Sequence, residues 1–180
     1  TSFGLPVAGQ TAKETADVYE IAGIRVLVVD DNDTNRLILE EMTRSWEMRP
    51  SCVAGATEAV ATLKEAAERG DPFRIVLSDL NMPDVDGATL AQQIRQNAQL
   101  CDTPVIILSS GARAEDIRRC EEARVTTQLM KPVKQSELLN AITLSLGLTA
   151  RPDAVLEQVP VSDELKPLNI LLAEDSLINQ

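Results

Sequence analysis

The sequence predicts an α/β protein built on a doubly wound, five-stranded parallel sheet. Two observations carry that prediction. Short apolar runs rich in β-branched residues recur along the chain, continuous rather than alternating, as strands buried on both faces require. Segments with apolar residues at helical spacing separate them, and strands alternating with amphipathic helices form βαβ units.

The first run is Ile24 to Val29, followed by a helical stripe of Leu37, Ile38, Met42 and Trp46. A weaker strand, Pro50 to Val53, precedes the stripe Ala56, Ala59, Val60 and Leu63. Ile75 to Ser78 leads to Leu90 and Ile94, and Val105 to Leu108 leads to Ile117, Cys120 and Ala123. A second weaker strand, Thr126 to Leu129, is followed by Leu138, Leu139, Ile142 and Leu146, with Gly147 as the stop after the last helix. A (βα)5 unit over 24–147 results. Residues 8–23 and 148–167 read as linkers, the second on account of Pro152, Pro160 and Pro167 among polar residues. At 168–180 a short internal repeat begins: Leu168 to Ala173, Glu174, Asp175 and Asn179 follow the order of Val26 to Val29, Asp30, Asp31 and Asn35.

Composition narrows the chemistry. The 180 residues balance 17 basic against 28 acidic side chains, a net charge of -11, which disfavours adhesion to nucleic acid or acidic lipid. A mean hydropathy of -0.06 and the absence of any apolar run near the length of a membrane span predict no membrane contact by these residues. No charged segment followed by an apolar stretch opens the chain, so a secretory leader is not expected. Cys52, Cys101 and Cys120 are odd in number and lack a CxxC, which fits a reducing cytoplasm better than a disulfide framework or a thiolate metal site. There is no histidine, which removes His-dependent triads, histidine-ligated zinc and any phosphohistidine made within these residues.

In an open parallel sheet, ligands bind beyond the carboxyl ends of the strands. The residues there are Asp30 and Asp31, Asp79, Ser109 and Lys131. Three carboxylates converging at contact distance would repel by about 1 to 4 kcal/mol per pair unless a cation lies between them. Oxygen ligands without sulfur or imidazole point to Mg²⁺, with Mn²⁺ as an acceptable substitute. Asp79 is then a candidate nucleophile toward phosphorus, with Lys131 as the cation and Ser109 as a hydroxyl donor to the phosphoryl oxygens. The plain reading of the same residues is a turn-rich loop at Asp79 to Gly87 and a helix N-cap at Asp30 to Thr34.

The runs VLVVDDNDTNR (Val26 to Arg36), IVLSDLNMPDVDG (Ile75 to Gly87), PVIILSSG (Pro104 to Gly111) and MKPV (Met130 to Val133) resemble the four signature blocks of response-regulator receiver domains. Ser109 lies 30 residues after Asp79 and Lys131 22 after Ser109, as in that family. The resemblance implies the flavodoxin-like receiver fold with strand order 2-1-3-4-5. It implies that Asp79 accepts a phosphoryl group from a phosphohistidine on a partner, a histidine kinase dimerisation domain or a histidine phosphotransfer protein. Asp30, Asp31, Asp79 and the backbone carbonyl of Asn81 would hold Mg²⁺, Ser109 and Lys131 would bind the phosphoryl group, and Pro132 would shape the turn carrying Lys131. Such a domain is a phosphoacceptor rather than a turnover enzyme, and pairing of two copies is compatible with it. Residues 1–7, TSFGLPV, resemble the tail of a histidine-kinase ATP-binding domain, and 168–180 resemble the opening of a second receiver; together they imply a cytoplasmic part of a hybrid sensor histidine kinase whose whole chain can be membrane-anchored. Gln128 stands where the family commonly has an aromatic switch residue, which puts an aromatic-rotation mechanism in doubt. Gly111, two residues past Ser109, has no side chain to steer water, which leaves autodephosphorylation mainly to Asn81.

Three rival readings differ in class. A docking module that never becomes phosphorylated would use the surface from Ala114 to Leu146. An aspartate-nucleophile phosphatase would use Asp31 and Asp33, but Asn35 stands where such enzymes carry Thr or Val. A calcium loop built on Asp31, Asp33 and Asn35 fails because Arg36 replaces the required glycine and Met42 the glutamate.

Overall fold

The computed structural model describes residues 21–111 and 114–148. The expected kinase tail at 1–7, most of both linkers and the second opening block at 168–180 lie outside the described residues. Within them, strand and helix alternate five times: β1 (Arg25–Val29), α1 (Asp33–Ser45), β2 (Arg49–Val53), α2 (Ala56–Glu68), β3 (Ile75–Asp79), α3 (Gly87–Gln96), β4 (Val105–Ser109), α4 (Ala114–Glu122), β5 (Thr127–Met130) and α5 (Gln135–Ser145). All four strand pairings are parallel and the sheet order is β2-β1-β3-β4-β5.

The apolar runs form central strands because both faces of each are covered. Leu27, Val29, Val76 and Ile107 point to a core completed by Ala59 and Leu63 of α2, Leu90 and Ile94 of α3 and Cys120 of α4. Their neighbours Val26, Val28, Ile75, Leu77, Ile106 and Leu108 point the other way, against Leu39 of α1 and Leu138 and Ile142 of α5. The period of two along each strand thus divides one apolar run between two cores, each buried side chain of this kind contributing about 1.5 to 3 kcal/mol.

Two expectations need correction. Ile21, assigned to the linker, is wholly buried against the α1/α5 core, so the packed unit begins before Ile24. The stripe read for α1 holds at Met42 and Trp46 but not at its start: Leu37 and Ile38 are 54% and 45% exposed, while Leu39 and Thr43 are buried. Thr43 tolerates that position because its hydroxyl donates to the Leu39 carbonyl at 2.8 Å. At the other end, Gly147 follows α5 with φ of 70°, the left-handed geometry of a helix stop.

Candidate functional site

Parallel register brings the strand ends level. Val29 pairs with Ser78, so the next residue, Asp30, comes beside Asp79 at the end of β3. The ladder then continues past the strands: the Leu80 amide donates to the Leu108 carbonyl at 2.9 Å and the Lys131 amide to the Ser109 carbonyl at 2.8 Å. These bonds fix where Lys131 leaves the sheet, and the Lys131–Pro132 peptide bond that follows is cis.

Lys131 Nζ lies 2.8 Å from Asp30 Oδ2 and 2.5 Å from Asp79 Oδ1. The side chains of Asp30 and Asp79 are 1% and 6% exposed and that of Lys131 is 21% exposed. Burial works against the Lys131 charge, but hydrogen bonding to the Asp30 and Asp79 carboxylates and their charge outweigh it and hold the ammonium above the usual lysine range.

The two carboxylates are held differently. Asp30 Oδ1 accepts from the Asn32 amide at 2.9 Å and from Asn35 Nδ2 at 3.2 Å, and Oδ2 accepts from the same Asn35 Nδ2 at 3.1 Å. The Asp30 carbonyl accepts from Arg36 Nη1 at 2.6 Å. Asp79 Oδ2 accepts from the Asn81 amide at 2.9 Å, whereas Asp79 Oδ1 is buried, meets Lys131 as a bare charge contact and accepts no hydrogen bond of good geometry.

Two buried carboxylates against one ammonium leave a negative site. That donor set fits a further hard cation. Among the described residues, no three His, Cys, Asp or Glu side chains gather into a cage, and Asp31 is exposed.

The remaining expected residues are distributed around this centre. Ser109 is buried at the end of β4 and Pro132 lines a groove beside Lys131. Gln128 lies half-buried on β5, paired with Ile107, away from the carboxylates; burial pushes the Cys120 thiol up, partly offset by a hydrogen bond from Gln128. The cap of α1, expected between Asp30 and Thr34, is Asn32, whose Oδ1 accepts from the amides of Thr34 and Asn35; Asp33 is the first residue of the helix and pairs with Arg36.

Sequence reasoning gave no role to two further residues. A Cβ on Gly87 would fall 2.3 Å from the Asp79 carbonyl oxygen, so only glycine allows α3 to start against the end of β3. Asp86, the cap of α3, accepts from the Thr89 amide at 2.8 Å and from Arg119 Nη2 of α4 at 2.6 Å. The DVDG run at Asp84 to Gly87 was the available signal, an acidic cap followed by glycine before a helix.

Comparison with known proteins agrees with this geometry. The response regulator receiver domain model matches residues 26–143. The sensory/regulatory protein RpfC of Xanthomonas campestris is 32% identical over 124 residues, 68% of this chain and 16% of its own length. The two-component response regulator ARR11 of Arabidopsis thaliana is 35% identical over 67% of this chain and 22% of its own. The chain therefore spans under a quarter of these relatives. Among solved structures, the receiver domain of a Pseudomonas aeruginosa sensor histidine kinase, with a magnesium ion coordinated in its active-site cleft, superposes with a TM-score of 0.62 at 32% identity over 70% of this chain and 99% of that one. Chemotaxis protein CheY4 of Vibrio cholerae gives 0.64 at 26% identity over 69% of this chain and 100% of that one. With its parallel sheet in the order β2-β1-β3-β4-β5 and its strand-end Asp, Asp and Lys in contact, the chain belongs to the response-regulator receiver domain family of two-component signalling.

Proposed function

We propose that Asp79 accepts a phosphoryl group from a phosphohistidine on a partner protein in a His-to-Asp phosphorelay. The observation that carries this is the contact of Lys131 Nζ with both Asp30 and Asp79, beside a buried Asp79 Oδ1 that accepts no hydrogen bond. The Asp79 carboxylate attacks phosphorus, the P–N bond breaks, and its electron pair leaves with the donor imidazole. Lys131 turns from Asp79 to a phosphoryl oxygen and Ser109 donates its hydroxyl to another. Asn81 steadies Asp79 through its amide. Asp30, Asp31, Asp79 and the Asn81 carbonyl are the residues that would hold Mg²⁺, and the metal supplies positive charge to the oxygens of the transferring group. The magnesium described for the Pseudomonas neighbour supports that assignment.

Bringing Lys131 and Ser109 onto the phosphoryl group draws the ends of β4 and β5 inward and shifts a pre-existing equilibrium of the surface they support. With Gln128 at the usual aromatic position, that shift runs through the backbone rather than a ring flip. For the donor, a groove of about 400 Å³ lies beside Lys131, lined by Ile38, Leu39, Met42, Pro132 and Val133. With Leu37 and Ile38 exposed next to it, this suits an apolar helix face presenting the phosphohistidine. The flanking blocks at 1–7 and 168–180 support a hybrid sensor histidine kinase as the parent. No helix among the described residues is long and apolar enough to cross a membrane.

Intact-mass spectrometry after incubation with acetyl phosphate and Mg²⁺ tests the reading. One added phosphoryl group is expected, lost in Asp79→Asn and with a chelator. An absence of adduct under all conditions, with Mg²⁺ leaving the melting temperature unchanged, overturns it and favours the phosphorylation-independent docking module.

A further inference from the structure

Asp30 is the most enclosed charge of the site, and among the described residues the side chains that hydrogen-bond to it are Lys131 and Asn35. Lys131 is committed to other work in the proposed transfer. When its ammonium turns from Asp79 to a phosphoryl oxygen, its contact with Asp30 Oδ2 is given up as well, and the donors that remain on Asp30 are the Asn32 amide on Oδ1 and the Asn35 side-chain amide on both oxygens. A buried carboxylate that loses a partner either draws the cation back or rotates toward whatever donor remains.

Asn35 removes that choice. It sits in the first turn of α1, fixed there by the Asn32 cap that also receives its backbone amide at 3.1 Å. Its side-chain amide reaches back five residues and donates to both oxygens of Asp30, at 3.2 and 3.1 Å. The Arg36 guanidinium holds the carbonyl of the same residue at 2.6 Å, so one helical turn grips Asp30 at its backbone and at its carboxylate. A neutral donor is required for this role: it steadies the carboxylate while leaving its negative charge available, which a second cation there would cancel.

We propose that Asn35 is a positioning residue that keeps the Asp30 carboxylate presented to Mg²⁺ while Lys131 exchanges between Asp30 and the phosphoryl group. This rests on the phosphoacceptor reading of Asp79. Asn35 also lines the groove beside Lys131. The consequence is specific: losing the amide weakens metal binding and lets Lys131 remain on Asp30, raising the Mg²⁺ concentration needed for phosphorylation more than it lowers the rate at saturating Mg²⁺.

The test uses the 180-residue chain, with Mg²⁺ affinity read by calorimetry without phosphodonor and phosphorylation by acetyl phosphate followed over a Mg²⁺ series. Asn35→Leu keeps a side chain branched at the same carbon, favours the helix somewhat more than asparagine does, and removes the donor. Its expected Mg²⁺ affinity is about tenfold weaker, the size usual when a group orienting a metal ligand is lost. Its rate is expected to recover toward that of the wild type as Mg²⁺ rises, and Asn35→Gln, which keeps an amide, to restore part of the affinity. A melting temperature measured beside each keeps unfolding apart from lost positioning; if Asn35→Leu does not fold, Asn35→Ala and Asn35→Gln carry the comparison. Equal Mg²⁺ affinity in wild type and Asn35→Leu overturns the role of Asn35. Failure of the wild type itself to bind Mg²⁺ or take a phosphoryl group overturns the phosphoacceptor reading instead.

Discussion

The two ends of the sheet each carry a cluster of opposite charges, and they are built on opposite terms. At the amino end, Arg25 and Arg49 reach Asp71, which is 51% exposed, and the Arg25 guanidinium lies 4.0 Å from the centre of the Phe73 ring. Water screens these charges and every group has a partner. At the carboxyl end, two carboxylates almost sealed from solvent share one lysine, and Asp79 Oδ1 still lacks a hydrogen bond. An arrangement selected only for stability would resemble the first cluster; the second concentrates uncompensated charge where desolvation makes it expensive. That contrast supports the proposed site at the carboxyl end on grounds separate from any sequence motif.

The sharpest way to break the comparison is to remove one charge from each end. Lys131→Met leaves two buried carboxylates facing each other without a cation and is expected to cost about 2 to 4 kcal/mol at pH 7, the range for breaking a buried pair, reduced somewhat for partial exposure. Asp71→Ala is expected to cost under about 1 kcal/mol and to become indistinguishable from wild type in high salt. Urea denaturation of both variants at two ionic strengths reads the ratio. Similar costs at the two ends would show that the carboxyl-end charges are ordinary surface charges and would remove the argument from burial.

A smaller effect tests whether the working end is also built to closer steric tolerance. Gly87→Ala places a methyl group against the Asp79 carbonyl, with Ile107 Cδ1 at 3.0 Å on its other side, so backbone has to move. About 1 to 3 kcal/mol of destabilisation is expected, as for overpacking elsewhere, together with slower acetyl phosphate labelling of Asp79. Gly55→Ala is the control: a Cβ there meets nothing within 4 Å, and its stability is expected to stay close to that of the wild type. Equal melting temperatures for the two variants would contradict the close approach at Gly87.

These contrasts also explain what the sequence could and could not disclose. Strand runs and their terminal Asp30, Asp79 and Ser109 were legible because strands buried on both faces are mostly apolar and the acidic or hydroxyl residue closing each run marks its carboxyl end, whereas β5, with Thr127 and Gln128 inside it, gives a weaker run before Lys131. The helix faces were less legible. Leu37 and Ile38 match a helical period as well as Leu39 does, and nothing local reveals that a threonine at 43 will be buried with its hydroxyl bonded to its own helix. Asn35 and Gly87 were opaque for another reason: one depends on the helix start fixed by Asn32, the other on how closely α3 approaches β3. Both are set by packing between elements.

The pair joining the loop between β3 and α3 to α4 lies between the two extremes of burial and offers the finest test. Burial of the Asp86 carboxyl would raise its pKa, but the Thr89 amide and Arg119 outweigh that and hold it below the ordinary carboxylate range. A carboxyl lowered on folding contributes stability above its unfolded value, near 3.9, and loses it as pH falls through the folded value. Asp86→Asn keeps an equally good helix cap while removing the charge that Arg119 and the α3 dipole favour. The expected cost is about 0.5 to 1 kcal/mol at pH 7, narrowing toward zero as pH falls through the lowered folded value and the wild-type carboxyl is itself protonated. Chemical denaturation of both proteins from pH 7 down to the acid limit measures that narrowing. A gap that stays constant across the range would mean that Asp86 acts on α3 through its cap geometry alone, and that the charge link to α4 carries no stability.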